Sequence, residues 1–269
     1  MFKKLFKEVL NEEVLSCELT SLGITNNIFL VTTNNNTYLV RKPKKDNLNN
    51  YLLEKEIEQL IEHLEISIHP IYIGADGIKI TLYNSSIKTF DTFNLDERLK
   101  VPVELLKKLH GAKLQCSINF DHTKKLNDYR YSTDKQLYDV SMYLYILDDI
   151  KHLEYEPILC HNDLVEGNIC IDNNHSYLID YEYASNNDPY FDVMSFLTEN
   201  TLTNEEIESF ITNYFDVLDN TTIQHLKTWE TYHNLLWYYW ANMMYHNTNE
   251  TIFHTIATDK YNALHTSIL

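Results

Sequence analysis

Three side chains with oxygen ligands are grouped in the middle of the chain: Asp163, Asn168 and Asp180. Asp163 and Asn168 are five positions apart on a polar stretch, and Asp180 follows a short apolar run twelve positions later. Phosphoryl transfer needs a carboxylate that orients an attacking hydroxyl and accepts its proton, and an amide and a second carboxylate that hold Mg²⁺ against phosphates. These residue types, in this order, can supply that chemistry.

The same order occurs in the kinase catalytic loop H-R-D-x-x-x-x-N and the D-F-G aspartate that follows it. Here the two segments read His161-Asn-Asp-Leu-Val-Glu-Gly-Asn168 and Leu178-Ile-Asp-Tyr-Glu-Tyr183. Asp and Asn in turns usually satisfy backbone groups, so Asp163 taken alone could be a turn residue. Its spacing from the other two residues favours catalysis. His161 and Asp192 are expected to brace this loop.

Hydrophobic periodicity changes along the chain and predicts the elements that position these residues. In the first third it predicts five strands around one helix: Val14–Leu22, Asn27–Thr33, Thr37–Lys42, helix Tyr51–Glu65, Pro70–Gly74 and Ile78–Leu82. Later it predicts helices that flank three short apolar runs: Pro102–Gly111, Asp134–Leu153, Asp188–Glu199, Asn204–Leu218, Thr221–His246 and Thr251–His265. We therefore expect an α+β fold, with a small antiparallel-sheet lobe at 1–84 and a mainly helical lobe at 85–269.

Composition excludes several classes of protein. The net charge of −17 argues against a nucleic-acid binder, which needs a basic surface. The five glycines form neither a Rossmann fingerprint nor a Walker A loop, and the four cysteines form no C-x-x-C pair. No His-x-x-x-His spacing indicates a metal site. The first residues lack an apolar signal segment, and the most apolar stretch is too short to span a membrane, so we expect a cytoplasmic protein without membrane insertion.

Residues 161–169 and 179–183 contain the motifs H-N-D-x-x-x-x-N-I and I-D-Y-E-Y. Through these two motifs the sequence resembles the bacterial choline kinase branch of the choline/ethanolamine kinase family. That family is one of the aminoglycoside-phosphotransferase-like kinases. Further matching segments are Gly23-Ile-Thr-Asn26, Tyr38-Leu-Val-Arg41, Lys107-Lys-Leu-His110, Phe191-Asp-Val193 and Leu235-Leu-Trp-Tyr-Tyr-Trp-Ala241. The resemblance implies a two-lobed protein-kinase-like fold that transfers the γ-phosphoryl group of ATP to the hydroxyl of choline, with Mg²⁺ as cofactor.

The resemblance also implies roles for individual residues. Asp163 would be the catalytic base, and Asn168 and Asp180 would hold Mg²⁺. The ATP phosphates would be covered by a loop that contributes Gly23, Thr25, Asn26 and Asn27. Arg41 would replace the strand lysine of protein kinases, since a guanidinium is always charged and can grip two oxygens at once. Its partner would be a carboxylate of the following helix, Glu54 or, as the alternative, Glu58.

An acceptor with a quaternary ammonium group has no hydrogen-bond donor, so a protein binds it with aromatic faces and carboxylates. Trp237 and Trp240 are three positions apart and share one helix face, although such a pair is often core packing. Glu182 and Tyr183 directly follow the predicted Mg²⁺ ligand, and Asp163 would meet the reacting hydroxyl. The resemblance favours a choline cage, because the family uses this Trp pair and the tyrosine at position 183.

Some positions depart from the family pattern. Val165 stands where the family often has Gln, and Asn200 stands where it has Trp. Ethanolamine, an aminoglycoside, thiamine or a sugar are therefore alternative small-molecule acceptors for the same chemistry. A catalytically idle pseudokinase is the alternative of a different class, and the intact Asp163, Asn168 and Asp180 argue against it.

Overall fold

The computed structural model describes residues 1–20, 26–44, 51–173 and 175–269. Its strands are β1 (Val14–Leu19), β2 (Asn26–Thr33), β3 (Thr37–Pro43), β4 (Tyr72–Ile73), β5 (Lys79–Leu82), β6 (Lys88–Thr89), β7 (Ile158–Cys160), β8 (Ile169–Ile171), β9 (Ser176–Leu178) and β10 (Ser185–Asn187). Its α-helices are α1 (Lys3–Val9), α2 (Tyr51–Ile61), α3 (Leu95–Gly111), α4 (His122–Arg130), α5 (Ile146–Lys151), α6 (Pro189–Glu199), α7 (Asn204–Tyr214), α8 (Asn220–Thr248) and α9 (Thr251–Ala263).

Backbone contacts divide the chain into two compact units. The first comprises Met1–Phe93 and Gly167–Ala184, and the second comprises Asn94–Glu166 and Ser185–Leu269. The sequence-based division at residue 84 differs from this, because it leaves the β8–β9 hairpin out of the first unit. In that hairpin β8 pairs with β9 on one side and with β6 on the other.

The first unit contains an antiparallel sheet in the order β1-β2-β3-β5-β4. Helix α1 packs on it through Phe2 and Phe6, which are buried with apolar residues of the strands. The ring of Phe6 meets that of Tyr38 edge-on at 5.4 Å. Buried Glu12 accepts hydrogen bonds from Tyr38 and Thr33, so its carboxylate closes the end of the β2–β3 hairpin.

The second unit is mainly helical, and the 29-residue α8 packs against α9, α6, α4 and α5. The expected fold class, an antiparallel sheet followed by a helical region, is confirmed. The predicted start of a helix at Pro102 is wrong, because α3 begins at Leu95 and Pro102 lies inside it. Asn94 and Glu97 form a capping box, in which each side chain accepts from the other residue's backbone N–H.

The predicted helix over 134–153 is also wrong. Residues 134–140 have an irregular backbone whose polar groups are satisfied by α8 instead of by a helix. Asn242 accepts from the Leu137 N–H and donates to a neighbouring carbonyl, and the Tyr238 hydroxyl accepts from the Tyr138 N–H and donates to its carbonyl. These tertiary hydrogen bonds outweigh the local amphipathic pattern, and a regular helix begins only with α5.

Among the described residues, no helix is both long and apolar enough to cross a bilayer.

Candidate active site

The loop that carries Asp163 follows β7 and is fixed by α6. The carboxylate of Asp192 accepts from the backbone N–H groups of His161 and Asn162, at 2.7 Å each. The Leu164 N–H donates to Ser195 at 2.9 Å. Three loop positions on the two sides of half-buried Asp163 are thus tied to one helix, and the predicted brace by Asp192 is confirmed.

The backbone of Asn162 is in the left-handed region, with φ at 65°. A non-glycine residue persists there only when its surroundings hold it. Its side chain supplies that restraint, because it donates to Ser185 and accepts from Asn187 in the second unit. The strained turn directs the chain just before Asp163.

Asn200 stands where the family has Trp, and the structure gives this departure a role. Its side-chain amide donates to the Leu164 carbonyl at 2.7 Å and to the Phe196 carbonyl at 2.8 Å. It therefore closes the end of α6 and holds the residue after Asp163 at the same time.

Asp192 is itself held by His110, a residue of α3 that is 7% exposed. The His110 Nε2 atom lies 2.9 Å from Asp192, and its Nδ1 atom lies 2.7 Å from the Tyr214 hydroxyl. The side chain of Cys160 lies close to both. His110, Cys160 and Asp192 therefore bring together three atoms of types that can bind a metal ion. The oxygens of Asp192 already accept from two backbone N–H groups and face His110, so this arrangement is a structural brace.

The first unit holds the residues predicted to bind metal and nucleotide. Asn168 begins the β8–β9 hairpin and its carbonyl accepts from the Ile179 N–H at 3.0 Å, so Asn168 lies beside the residue that precedes Asp180. Asp180 also has a left-handed backbone, with φ at 65°. Its carboxylate accepts from the Arg41 guanidinium at 2.8 Å. Arg41 therefore fixes the side chain of a strained residue.

Arg41 and Lys79 stand directly opposite each other on neighbouring strands β3 and β5. Two buried cations in this position would repel each other unless anions lie between them. Glu54 pairs with both cations, and Glu58 pairs with Lys79 at 2.6 Å. Ser67 donates to Glu58 at 2.7 Å and completes the network.

This network decides the partner of Arg41. Glu54 is 1% exposed and contacts Arg41, whereas Glu58 contacts Lys79. The predicted ion pair between Arg41 and Glu54, rather than Glu58, is thus present in the structure. Burial alone would raise the pKa of the Glu54 carboxyl, but the charges and hydrogen bonds of Lys79 and Arg41 hold it below its ordinary value.

Glu182 belongs to the same unit and faces β2. Its carboxylate accepts from the Asn26 side chain at 3.0 Å. Burial and the charge of Asp180 raise the pKa of Glu182 to about 7, although the Asn26 hydrogen bond and Arg41 act in the opposite direction. A hydrogen bond therefore connects Glu182, two positions after the predicted Mg²⁺ ligand Asp180, to Asn26 at the start of β2.

Two buried hydrogen-bond donors of this unit show whether its residues suit a phosphate group. The Nε atom of Arg41 and the hydroxyl of Tyr51 have no hydrogen-bond partner among the described residues. The Arg41 guanidinium carbon lies 6.0 Å from the centre of the Tyr51 ring. Donors beside a permanent positive charge suit anionic oxygens, so the residues present fit a nucleotide phosphate.

The predicted acceptor residues on α8 form a defined aromatic pair. The rings of Trp237 and Trp240 are 5.5 Å apart and nearly perpendicular, at 86°. Trp240 packs in the same edge-on manner against Phe253 of α9. Trp237 is 8% exposed and its indole N–H donates to His233. Tyr238, by contrast, holds the irregular segment of residues 134–140 through its hydroxyl.

Residues 85–230, more than half of the chain, match the model of the phosphotransferase enzyme family. The chain belongs to this family. Protein LicA of Haemophilus influenzae is 24% identical over 243 residues, which cover 82% of this chain and 71% of LicA.

Solved structures agree with that assignment. The choline kinase LicA from Streptococcus pneumoniae is similar with a TM-score of 0.83 and 22% identity, over 99% of this chain and 98% of that one. A LicA structure in complex with AMP also has a TM-score of 0.83 and 22% identity, over 98% of this chain and 96% of that one. These structures confirm the expected kinase-like fold, and the family match together with the LicA relative confirms the family resemblance.

The predicted site residues of this phosphotransferase divide between its two units. Gly23 and Thr25 lie outside the described residues. Asn27 is part of β2, opposite Lys42. The metal and nucleotide residues and half-buried Tyr183 belong to the first unit, and Asp163, Trp237 and Trp240 belong to the second.

Sequence reasoning missed Lys79 as a functional residue. Lys79 begins β5, and the register places it opposite Arg41. Its signal in the sequence is a lysine within the mostly apolar run Ile78–Leu82. The periodicity also did not show that both Glu54 and Glu58 lie on the buried face of α2, with Ile57 and Ile61 at helical spacing. Two glutamates inside an apolar stripe indicate buried cations on the facing sheet.

Proposed function

We propose that this phosphotransferase transfers the γ-phosphoryl group of ATP to the hydroxyl of choline and releases phosphocholine. The observation that carries the proposal is the position of Arg41, which binds Glu54 and Asp180 at once. A permanent cation is thereby held beside the carboxylate of the I-D-Y-E-Y motif, as a kinase needs at its phosphate site. The similarity to LicA, of which one structure contains AMP and another is named a choline kinase, supports both substrates.

Mg²⁺ is the metal that fits the donor set. Asn168 offers an amide oxygen and Asp180 a carboxylate, the hard oxygen ligands that this cation takes together with water and substrate phosphates. When bound, Mg²⁺ would neutralise charge on the phosphate oxygens. Arg41 would hold the Asp180 carboxylate in place. Its Nε–H, which has no hydrogen-bond partner among the described residues, would donate to a phosphate oxygen.

The acceptor half of the reaction rests on the second unit. Asp163 would accept the proton of the choline hydroxyl, and the anchored backbone on either side would keep its carboxylate from turning away. The faces of Trp237 and Trp240 would receive the quaternary ammonium group by cation–π attraction. Glu182 and Tyr183 stay predictions as further acceptor contacts.

The test is an ADP-release assay on purified protein with ATP, Mg²⁺ and a panel of choline, ethanolamine, an aminoglycoside, thiamine and a sugar. We expect choline to give the highest kcat/KM. Asp163→Asn should lower kcat by about 10²-fold or more, because it removes the base while keeping the shape of the side chain. Asp216→Asn is the matched control, since the Asp216 side chain is 99% exposed.

Two results would contradict choline as the substrate. Absence of ADP release with every member of the panel would favour a catalytically idle pseudokinase, and a higher kcat/KM for another member would replace choline as the acceptor. A kcat of Asp163→Asn equal to that of the wild type would show that Asp163 is not the catalytic base.

A further inference from the structure

The indole of Trp237 is held by a buried residue one helical turn earlier, His233. The Trp237 Nε1–H donates to His233 Nε2 at 2.9 Å. Because an indole nitrogen can only donate, Nε2 must be the unprotonated atom of the imidazole. The proton therefore sits on Nδ1, which lies 2.7 Å from the Thr198 hydroxyl.

The chain of hydrogen bonds continues in the same direction. The Thr198 hydroxyl donates to the Met194 carbonyl at 2.8 Å, so it accepts from His233. Trp237 thus donates to His233, His233 donates to Thr198, and Thr198 donates to the backbone of α6, so the two middle residues each have one donor role and one acceptor role. The arrangement admits a single orientation of the imidazole ring and fixes the edge of the indole.

The surroundings of His233 keep the imidazole neutral. It is fully buried, and burial together with the charge of Lys260 holds the pKa of His233 well below its ordinary value. Glu199 is 3.5 Å from Nδ1 but is paired with Lys260. A neutral ring places no positive charge beneath a surface that has to receive a cation.

We propose that His233 is the positioning residue of the acceptor site, holding the Trp237 ring perpendicular to Trp240 so that the pair presents its faces to a cationic ammonium group. This inference rests on the proposed function, because it assumes that the aromatic pair binds the acceptor. The sequence motifs assign His233 no role. It acts on acceptor binding and leaves ATP binding and the chemical step unchanged.

The test compares two substitutions at this position in the ADP-release assay. His233→Leu removes the acceptor atom and should raise the KM for choline about tenfold, with the KM for ATP and kcat within a factor of two. His233→Gln supplies an oxygen near the position of Nε2 and should restore most of the choline affinity. Trp237→Phe lacks the indole N–H. In a protein that already carries Trp237→Phe, adding His233→Leu should therefore change the KM for choline little.

Loss of stability is separated from loss of position by a matched control. His225 lies on the same helix and bonds to Asp188, away from Trp237. His225→Leu should lower the melting temperature and leave the KM for choline unchanged. If His233→Leu does not fold, Thr198→Val frees the other side of the imidazole and should raise the KM for choline two- to threefold.

The outcomes distinguish the two proposals. Wild-type protein that does not use choline overturns the proposed function before any variant is measured. Wild-type protein that uses choline, while His233→Leu or Thr198→Val keeps its KM for choline, overturns the role of His233. Equal effects of His233→Leu and His233→Gln, or an equal rise in the KM for ATP, overturn it as well.

Discussion

Replacement of Asp192 by Asn would test how the catalytic loop is held. The carboxylate accepts from two loop N–H groups at 2.7 Å each and faces His110 at 2.9 Å. An amide keeps one oxygen and turns an NH₂ group toward a former donor. At least one buried backbone N–H of the loop therefore loses its acceptor.

The size of the effect follows from these contacts. A buried donor without an acceptor costs about 1–3 kcal/mol, and the loss of a charged acceptor adds about as much. We expect a total of about 2–6 kcal/mol, which corresponds to a fall of about 4–24 °C in melting temperature. Because the loop carries Asp163, a displacement of about 1 Å should also lower kcat by about 10²-fold.

The assay measures kcat and melting temperature for Asp192→Asn and for Asp188→Asn. Asp188 is an equally buried carboxylate that accepts from His225, Trp229 and the Tyr190 N–H, none of which belongs to the loop. Asp188→Asn should lose similar stability and keep kcat within about threefold. Equal kcat values for the two variants would refute the reasoning, because the loss would then reflect general destabilisation.

Two further predictions concern the ion network of the first unit. Arg41→Lys should lower kcat/KM for ATP by at least about tenfold, because one ammonium group cannot reproduce the planar guanidinium that binds both Glu54 and Asp180. The KM for choline serves as the control. An unchanged kcat/KM for ATP would contradict this prediction. Glu54 has a pKa below its ordinary value of 4.5, so its ionised form stabilises the fold above that pH and the contribution disappears as the pH falls through the lowered pKa. Urea unfolding should show the stability difference between wild type and Glu54→Gln shrinking from pH 7 to about pH 3, and a difference that does not change with pH would exclude this assignment.

Local signals predicted much of the fold. The strands β2 and β3 agree with their apolar alternation to within one residue, since the Asn34-Asn-Asn36 turn separates them clearly. The helices α6 and α9 also agree closely at their starts, where Pro189 and Thr251 begin them. The errors lie where distant residues compete with the local pattern, as Asn242 and Tyr238 do for the backbone of residues 134–140.

The sequence by itself predicted the chemistry of the site. The spacing of Asp163, Asn168 and Asp180 predicts a phosphotransferase because it is a property of one short stretch of chain, and the Trp237–Trp240 pair follows from helical periodicity alone.

Only the tertiary structure decided how these residues are held. Glu54 and Glu58 look alike along α2, and which of them meets Arg41 depends on the register of β3 against β5 and on the placement of the helix. His110 and Asp192 are 82 positions apart, and Thr198 and His233 are 35 apart. Hydrogen bonds between such partners act over about 3 Å, so no pattern within a short window of sequence can specify them.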